Sequence, residues 1–157
     1  MKLNKEIFRA YDIRGIADRD LTDDVIYTIA RSFATHIRRM GKDTCVIGHD
    51  NRLSSERIHK ALTSGLIDSG VNILDLELTT TPMYYYACIY EKVDCGIMIT
   101  ASHNPKEDNG LKFAGDILMQ NGAETYRVED TVYRILQKSN LKTVQVLVMM
   151  TGFVATL

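Results

Sequence analysis

The chain has 157 residues, 45% of them hydrophobic and 25% charged, with a formal net charge of -1. A domain of this size buries about 70% of the surface its unfolded chain exposes, so a core forms without disulfide or metal staples, and the composition is that of an ordinary soluble globular protein. Lys and Arg are scattered among acids and leave no basic field for a nucleic-acid backbone, Cys45, Cys88 and Cys95 make no CxxC pair and fit a reducing cytoplasm, and Met1 to Glu6 is too polar for a signal peptide.

In chain order, the acids Asp18, Asp20, Asp23 and Asp24 lack the Gly and Glu of a calcium loop and read as a solvated turn. Leu21 to Met40 reads as a helix, because Val25, Ile26, Ile29, Ala30, Phe33, Ala34, Ile37 and Met40 recur at three-to-four spacing. Thr22 can cap it, Asp23 and Asp24 suit its positive end, Arg38 and Arg39 suit its last turn, and Gly41 can stop it. Thr44 to Gly48 follows as a strand and runs into a polar turn, His49-Asp50-Asn51-Arg52, where Asp50 and Arg52 are expected to pair and brace the turn. Ser54 or Ser55 opens a second helix with Ile58, Ala61, Leu62, Leu66 and Ile67 inward, and Gly70 closes it before the strand Val71 to Leu76. Thr81 as cap and Pro82 at the first helical position start a third helix reaching about Lys92. A strand from Asp94 to Thr100 leads into the polar loop Ala101 to Asn109, and Gly110 to Ala114 is extended. A last helix is expected from about Ala123 to Lys138, with Val128, Val132, Ile135 and Leu136 inward.

Thr143 to Leu157 carries no charge, yet is shorter than the roughly 20 apolar residues of a membrane span. It reads as a last strand or short helix, as a surface covered by a following domain, or as a shifted reading frame. Alternating strands and helices make the chain an α/β protein: a three-layer α/β/α sandwich with a mostly parallel mixed sheet of about four strands and helices on both faces. Ligands of such sheets gather beyond the carboxyl ends of the strands, here the loops at 49–52, 79–82 and 101–109.

Of these loops, Thr100-Ala101-Ser102-His103-Asn104-Pro105 concentrates a hydroxyl, an imidazole and an amide at the end of an apolar strand. A serine that holds a phosphoryl group needs donors for three oxygens, which a tight turn and nearby cations supply. Residues of this kind also simply terminate strands. A hydrolase nucleophile fits poorly, since GxSxG is absent and adjacent extended residues such as Ser102 and His103 point to opposite faces. His36, His49 and His59 show no metal-ligand spacing.

This loop, followed by Asn109-Gly110-Leu111-Lys112, resembles the active-serine signature of the α-D-phosphohexomutases, the phosphoglucomutase and phosphomannomutase superfamily. Phe8-Arg9-Ala10-Tyr11-Asp12-Ile13-Arg14-Gly15 is similar to the N-terminal motif of that family, and Gly48-His49-Asp50-Asn51-Arg52-Leu53-Ser54-Ser55 to its G-x-D-x-R-x-S-S stretch. Thr80-Thr81-Pro82 falls in the expected place between them. The resemblance implies phosphate exchange between C1 and C6 of a hexose, in which phosphorylated Ser102 converts a hexose 1-phosphate or 6-phosphate to a 1,6-bisphosphate and regains phosphate from its other end. It implies Ser102 as carrier and, through its phosphate, as a ligand of Mg²⁺, with glucose or mannose 1,6-bisphosphate as activator. It further implies Lys112 in proton transfer, Arg14 beside the phosphoserine, His103 orienting the loop or contacting phosphate, and Tyr11 lining the substrate site.

Family members resemble a four-domain molecule, and the likeness covers only the first, phosphoserine domain, expected over residues 1–142 with 143–157 as an apolar tail. The D-G-D-x-D-R metal loop, the sugar-recognition loop and the phosphate-binding loop are expected on domains missing from this chain. Two other readings stay open: an inactive domain that binds sugar phosphates or a protein, and a phosphatase that reuses the loop. Nucleic acid and membrane are not expected as partners.

Overall fold

The computed structural model describes residues 4–9, 12–115, 145–149 and 152–156. The chain divides into two units, Met1–Gly115 and Asp116–Leu157. The first is built on a mixed sheet of β1 (Asp12–Ile16), β2 (Thr44–His49), β3 (Asn72–Leu78), β4 (Cys95–Ile99) and β5 (Asp108–Gly115), in the order β1-β5-β4-β2-β3. Strand β2 runs parallel to β3 and β4, and β5 runs antiparallel to β4 and β1. The sheet thus has five strands where about four were expected, and its pairings divide evenly between the two senses. The added strand is β1, whose sequence Asp-Ile-Arg-Gly-Ile carries no apolar alternation. Cross-strand pairing with β5, from Asp12 opposite Lys112 to Ile16 opposite Asp108, makes it a strand.

The helices are α1 (Ala17–Asp20), α2 (Asp23–Arg39), α3 (Ser55–Ile67) and α4 (Thr81–Tyr90). Strand side chains alternate between faces, and the two faces have different cover. Cys45 and Ile47 of β2, Ile97 and Ile99 of β4 and Leu111 of β5 pack with Ile26, Ala30 and Ile37 of α2 and Ile58, Leu62 and Leu66 of α3. Val46 and Met98 point the other way, against the fully buried Tyr84 of α4. These are the three expected layers, and each fully buried aliphatic side chain contributes about 1.5–3 kcal/mol. Helices α2 and α3 approach closely because Gly65 presents no side chain, and a Cβ there would lie 2.7 Å from both the Ala30 side chain and the Tyr27 carbonyl. Burial pushes the Cys45 thiol up and that of Cys88 up to about 11, so both remain protonated. No helix among the described residues is long and apolar enough to cross a membrane.

Several local expectations need correction. The cap of α4 is Thr80, not Thr81: its backbone is extended and its hydroxyl accepts from the Met83 N–H, which moves Pro82 one position into the helix. Ile67 is 60% exposed, because it sits a further 100° around the helix from Leu66, off the buried stripe. Thr22 caps α2 through its carbonyl alone, which accepts from the Ile26 N–H. Asp20 is no solvated turn residue. It is 7% exposed and accepts from the Asn4 side chain, the Ile16 N–H and the Arg19 guanidinium, closing the exit of β1.

The helix expected at about 123–138 lies outside the described residues. In the second unit, β6 (Gln145–Met149) and β7 (Gly152–Thr156) pair antiparallel, from Gln145 opposite Thr156 to Met149 opposite Gly152.

The hydrogen bond from Arg19, joined by those from Asn4 and Ile16, overrides the cost of burial and holds the Asp20 carboxyl at about 2, below its ordinary 3.8. A depressed folded-state pKa stabilises the fold above the unfolded value and loses that contribution as pH falls through the folded one. Asp20→Asn is therefore expected to unfold at lower urea than the parent at pH 7, and the gap should close between about pH 4 and pH 2 in a urea titration series.

Candidate active site

The chain leaves β4 through Thr100 and the fully buried Ala101, and then exposes Ser102. Ser102 has φ 54°, a left-handed conformation that a residue with a Cβ rarely adopts and that costs about 1–2 kcal/mol. Local bonds hold it there. The Ser102 N–H donates to Thr100 Oγ1 at 3.0 Å, and the Asn104 N–H returns to the Ala101 carbonyl at 3.1 Å. Below the turn, the Thr100 N–H bonds the Gly110 carbonyl and the Asp108 N–H bonds the Pro105 carbonyl, so the loop is closed at both ends.

The strongest tie comes from a distant part of the sequence. Arg52, only 12% exposed, donates Nη2 to the carbonyls of Ser102 and Asn104, each at 2.9 Å. Its Nη1 donates to the carbonyls of Pro105 at 2.6 Å and Asp108 at 3.0 Å, and Nε to Asp50 Oδ2 at 3.2 Å. The expected pair of Asp50 and Arg52 is present, but it braces the serine loop as well as its own. Asp50 is fixed in turn: its carboxylate accepts from the Arg52 N–H and from the Ser55 hydroxyl at 2.6 Å. Asn109, fully buried, donates to the hydroxyls of Ser54 and Ser55 while its carbonyl oxygen accepts from the Gly110 N–H. The second Ser of the G-x-D-x-R-x-S-S stretch thus joins the start of α3 to Asp50 and to Asn109 at the end of the loop.

On the α4 face of the sheet, Arg14 and Lys112 lie one pleat apart on neighbouring strands. Arg14 pairs in register with Gly110, and Lys112 with Asp12 and Met98. Gly110 is needed between them, since a Cβ would lie 2.4 Å from the Ile13 carbonyl and 3.1 Å from Arg14 Cγ. Arg14 Nε donates to Asp12 Oδ2 at 2.8 Å, with Asp12 buried and Arg14 28% exposed. The Lys112 ammonium sits over the Tyr85 ring, 5.3 Å from its centroid, a cation–π contact. Both cations therefore flank the sheet level from which the Ser102 loop departs. His103 is exposed on the loop beside Ser102, and Tyr11 lies outside the described residues.

Sequence spacing missed two juxtapositions. Arg52 reaches backbone carbonyls, which no side-chain pattern can announce. The rings of His49 and His59 lie 5.2 Å apart with His59 against Asp75, although ten residues separate the histidines in the chain. Among the described residues no group of three or more His, Cys, Asp or Glu could hold a metal ion. These residues alone do not make a Mg²⁺ cage. What the arrangement can do is present one hydroxyl on a rigid turn, with a guanidinium and an ammonium on the adjoining strands to meet the charge of a phosphoryl group.

The family description that matches residues 5–143 is phosphoglucomutase/phosphomannomutase, alpha/beta/alpha domain I. The chain is 42% identical over 118 residues to a phosphoglucomutase of Neisseria gonorrhoeae, which covers 74% of this chain and 26% of the relative. It is 43% identical over 107 residues to a phosphomannomutase of Vibrio cholerae, covering 67% of this chain and 23% of the relative. A crystal structure of a phosphoglucomutase/phosphomannomutase family protein from Burkholderia thailandensis superposes with a TM-score of 0.68 at 36% identity, over 72% of this chain and 26% of that one. The chain spans about a quarter of the length of the curated relatives it matches.

Asn109 satisfies three polar groups at the base of the loop, the hydroxyls of Ser54 and Ser55 and the Gly110 N–H, and truncating it removes all three bonds. Asn109→Ala is expected to lose about 1–3 kcal/mol, read as a lower urea midpoint at unchanged slope.

Proposed function

Because the chain belongs to the phosphoglucomutase/phosphomannomutase family, as its α/β/α domain I, we propose that Ser102 carries the phosphoryl group in an exchange between C1 and C6 of a hexose phosphate. The observation that carries the reading is Ser102 itself, exposed in a left-handed turn that the partly buried Arg52 pins, with Arg14 and Lys112 on the strands beside it. In the first transfer the bond between Ser102 Oγ and phosphorus breaks as a sugar hydroxyl oxygen bonds to phosphorus, giving a hexose 1,6-bisphosphate. We assign the proton relay to Lys112: it gives a proton to Ser102 Oγ as that oxygen leaves phosphorus and takes the proton of the attacking sugar hydroxyl. In the second transfer Ser102 Oγ bonds to the phosphorus of the other phosphoryl group, and its proton passes through Lys112 to the sugar oxygen that leaves.

Arg14 faces the phosphoryl group and counters the charge that gathers on its oxygens. Its Nε bond to Asp12 orients the guanidinium. His103 contacts the phosphate or steadies the turn, and Tyr11 lines the sugar site. Mg²⁺, as the family implies it, would meet this chain only at the phosphate on Ser102, with its other ligands on a further domain. A hexose 1,6-bisphosphate would charge the serine. The match ending at residue 143 supports a phosphoserine domain over residues 1–142 with 143–157 beyond it. A reducing cytoplasm is the setting the free thiols favour.

The reading is tested by combining the chain with the remaining polypeptide of a relative, which lacks its own first quarter, and following conversion of hexose 1-phosphate to 6-phosphate with Mg²⁺ and a 1,6-bisphosphate. Ser102→Ala is expected to abolish turnover, and Lys112→Ala to lower kcat by about 10²-fold or more. Turnover by Ser102→Ala at the parental rate overturns the reading. Hexose phosphate binding without interconversion would replace it with a binding role, and release of inorganic phosphate with a phosphatase.

A further inference from the structure

The five N–H groups of a guanidinium form a rigid planar fork, and in Arg52 each has an acceptor: Asp50 Oδ2 and the carbonyls of Ser102, Asn104, Pro105 and Asp108. No donor is left for a ligand. Arg52 is thereby excluded as a phosphate contact, although it carries positive charge directly beneath Ser102. Its influence passes through the backbone. A trans peptide places its N–H opposite its C=O, and no cis bond occurs among the described residues. With the Ser102 carbonyl drawn inward onto Arg52 Nη2, the N–H of the same peptide, that of His103, points outward. That amide donates no hydrogen bond among the described residues, while its neighbours Ser102 and Asn104 both donate within the loop.

We propose that Arg52 is the positioning residue of this site: by holding the Ser102 carbonyl inward it presets the His103 amide as a backbone donor to the phosphoryl group on Ser102. The inference rests on Ser102 as the phosphoryl-bearing residue. It assigns the phosphate contact of His103 to the main chain, where a preset dipole stabilises charge without reorganising when the phosphoryl group arrives or leaves. Substitution by lysine does not reproduce this, because one ammonium has three donors on a single nitrogen and cannot span four carbonyls.

The test uses the full chain with phosphoserine installed at position 102 through an expanded genetic code and followed by ¹⁵N and ³¹P NMR. In the parent, the His103 amide resonance is expected to move downfield on phosphorylation and to show coupling to phosphorus across the hydrogen bond. In Arg52→Ala that displacement and coupling are lost, millimolar guanidinium restores them, and Arg52→Lys remains without them. Amides of β4 and α3 report whether each variant is folded. If Arg52→Ala fails to fold, the parent and the lysine variant decide.

A parental His103 amide that phosphorylation leaves in place overturns the proposal, as does a displacement that persists undiminished in both variants. None of these readouts depends on turnover. Failure of the carrier reading would show separately, as an intact amide displacement in a protein whose Ser102 never takes phosphate from a sugar bisphosphate.

Discussion

All five N–H donors of Arg52 find acceptors inside the chain, and the site depends on that saturation. Four acceptors are carbonyls of one short loop, between Ser102 and Asp108, and the fifth belongs to Asp50. A partly buried guanidinium without partners costs several kcal/mol. The loop carbonyls would otherwise need water, so each side supplies what the other lacks. The strained backbone of Ser102 persists because its surroundings over-determine it. The same network reaches through Asp50, Ser55 and Asn109 to the first turn of α3 and to β5. The loop is thus tied to the rigid core on both sides of the sheet end.

The sheet order decides which side chains meet there. Strand β5 turns back antiparallel beside β4, and β1 adds to its far edge in the same sense of pairing. That arrangement carries residues from position 12 to position 112 into two adjacent rows. One row joins Met98, Lys112 and Asp12, and the next joins Thr100, Gly110 and Arg14. Alternation across the pleat puts Arg14 and Lys112 on the face of α4, while Leu111 and Phe113 face α2 and α3. The glycine at 110 permits the close approach. The placement of Lys112 on one face therefore rests on packing of the other, since Leu111 beside it in β5 is held in the core.

Much of this was legible in the sequence, for reasons that also explain what was not. Helix α2 announces itself because seven apolar residues from Val25 to Ile37 repeat at the helical period and its buried face follows from them. The Ser102 loop, Arg14 and Lys112 stand out in the sequence as motif residues, and the common face of Arg14 and Lys112 follows from strand register. Strand β1 could not be read, since its five residues include two charges and a glycine and owe their form to β5. Asp20 looked like one of a run of surface acids, because a buried carboxylate differs from an exposed one only by its partners. The reach of Arg52 was hidden for the same reason: its acceptors are main-chain atoms 50 to 56 residues away.

The proposed carrier role asks Ser102 to be both accessible and fixed, and its exposed side chain sits on a backbone held by Arg52 and the loop's own hydrogen bonds. The direct test of that account is to locate the phosphate. The chain is incubated with a ¹⁸O-labelled hexose 1,6-bisphosphate and Mg²⁺, alone and with the complementary part of a relative, and its peptides are mapped by mass spectrometry. The account predicts labelled phosphate on the peptide that holds Ser102, assigned to Ser102 by fragmentation. Label on another residue, or none in either mixture while the complemented system interconverts hexose phosphates, would contradict it.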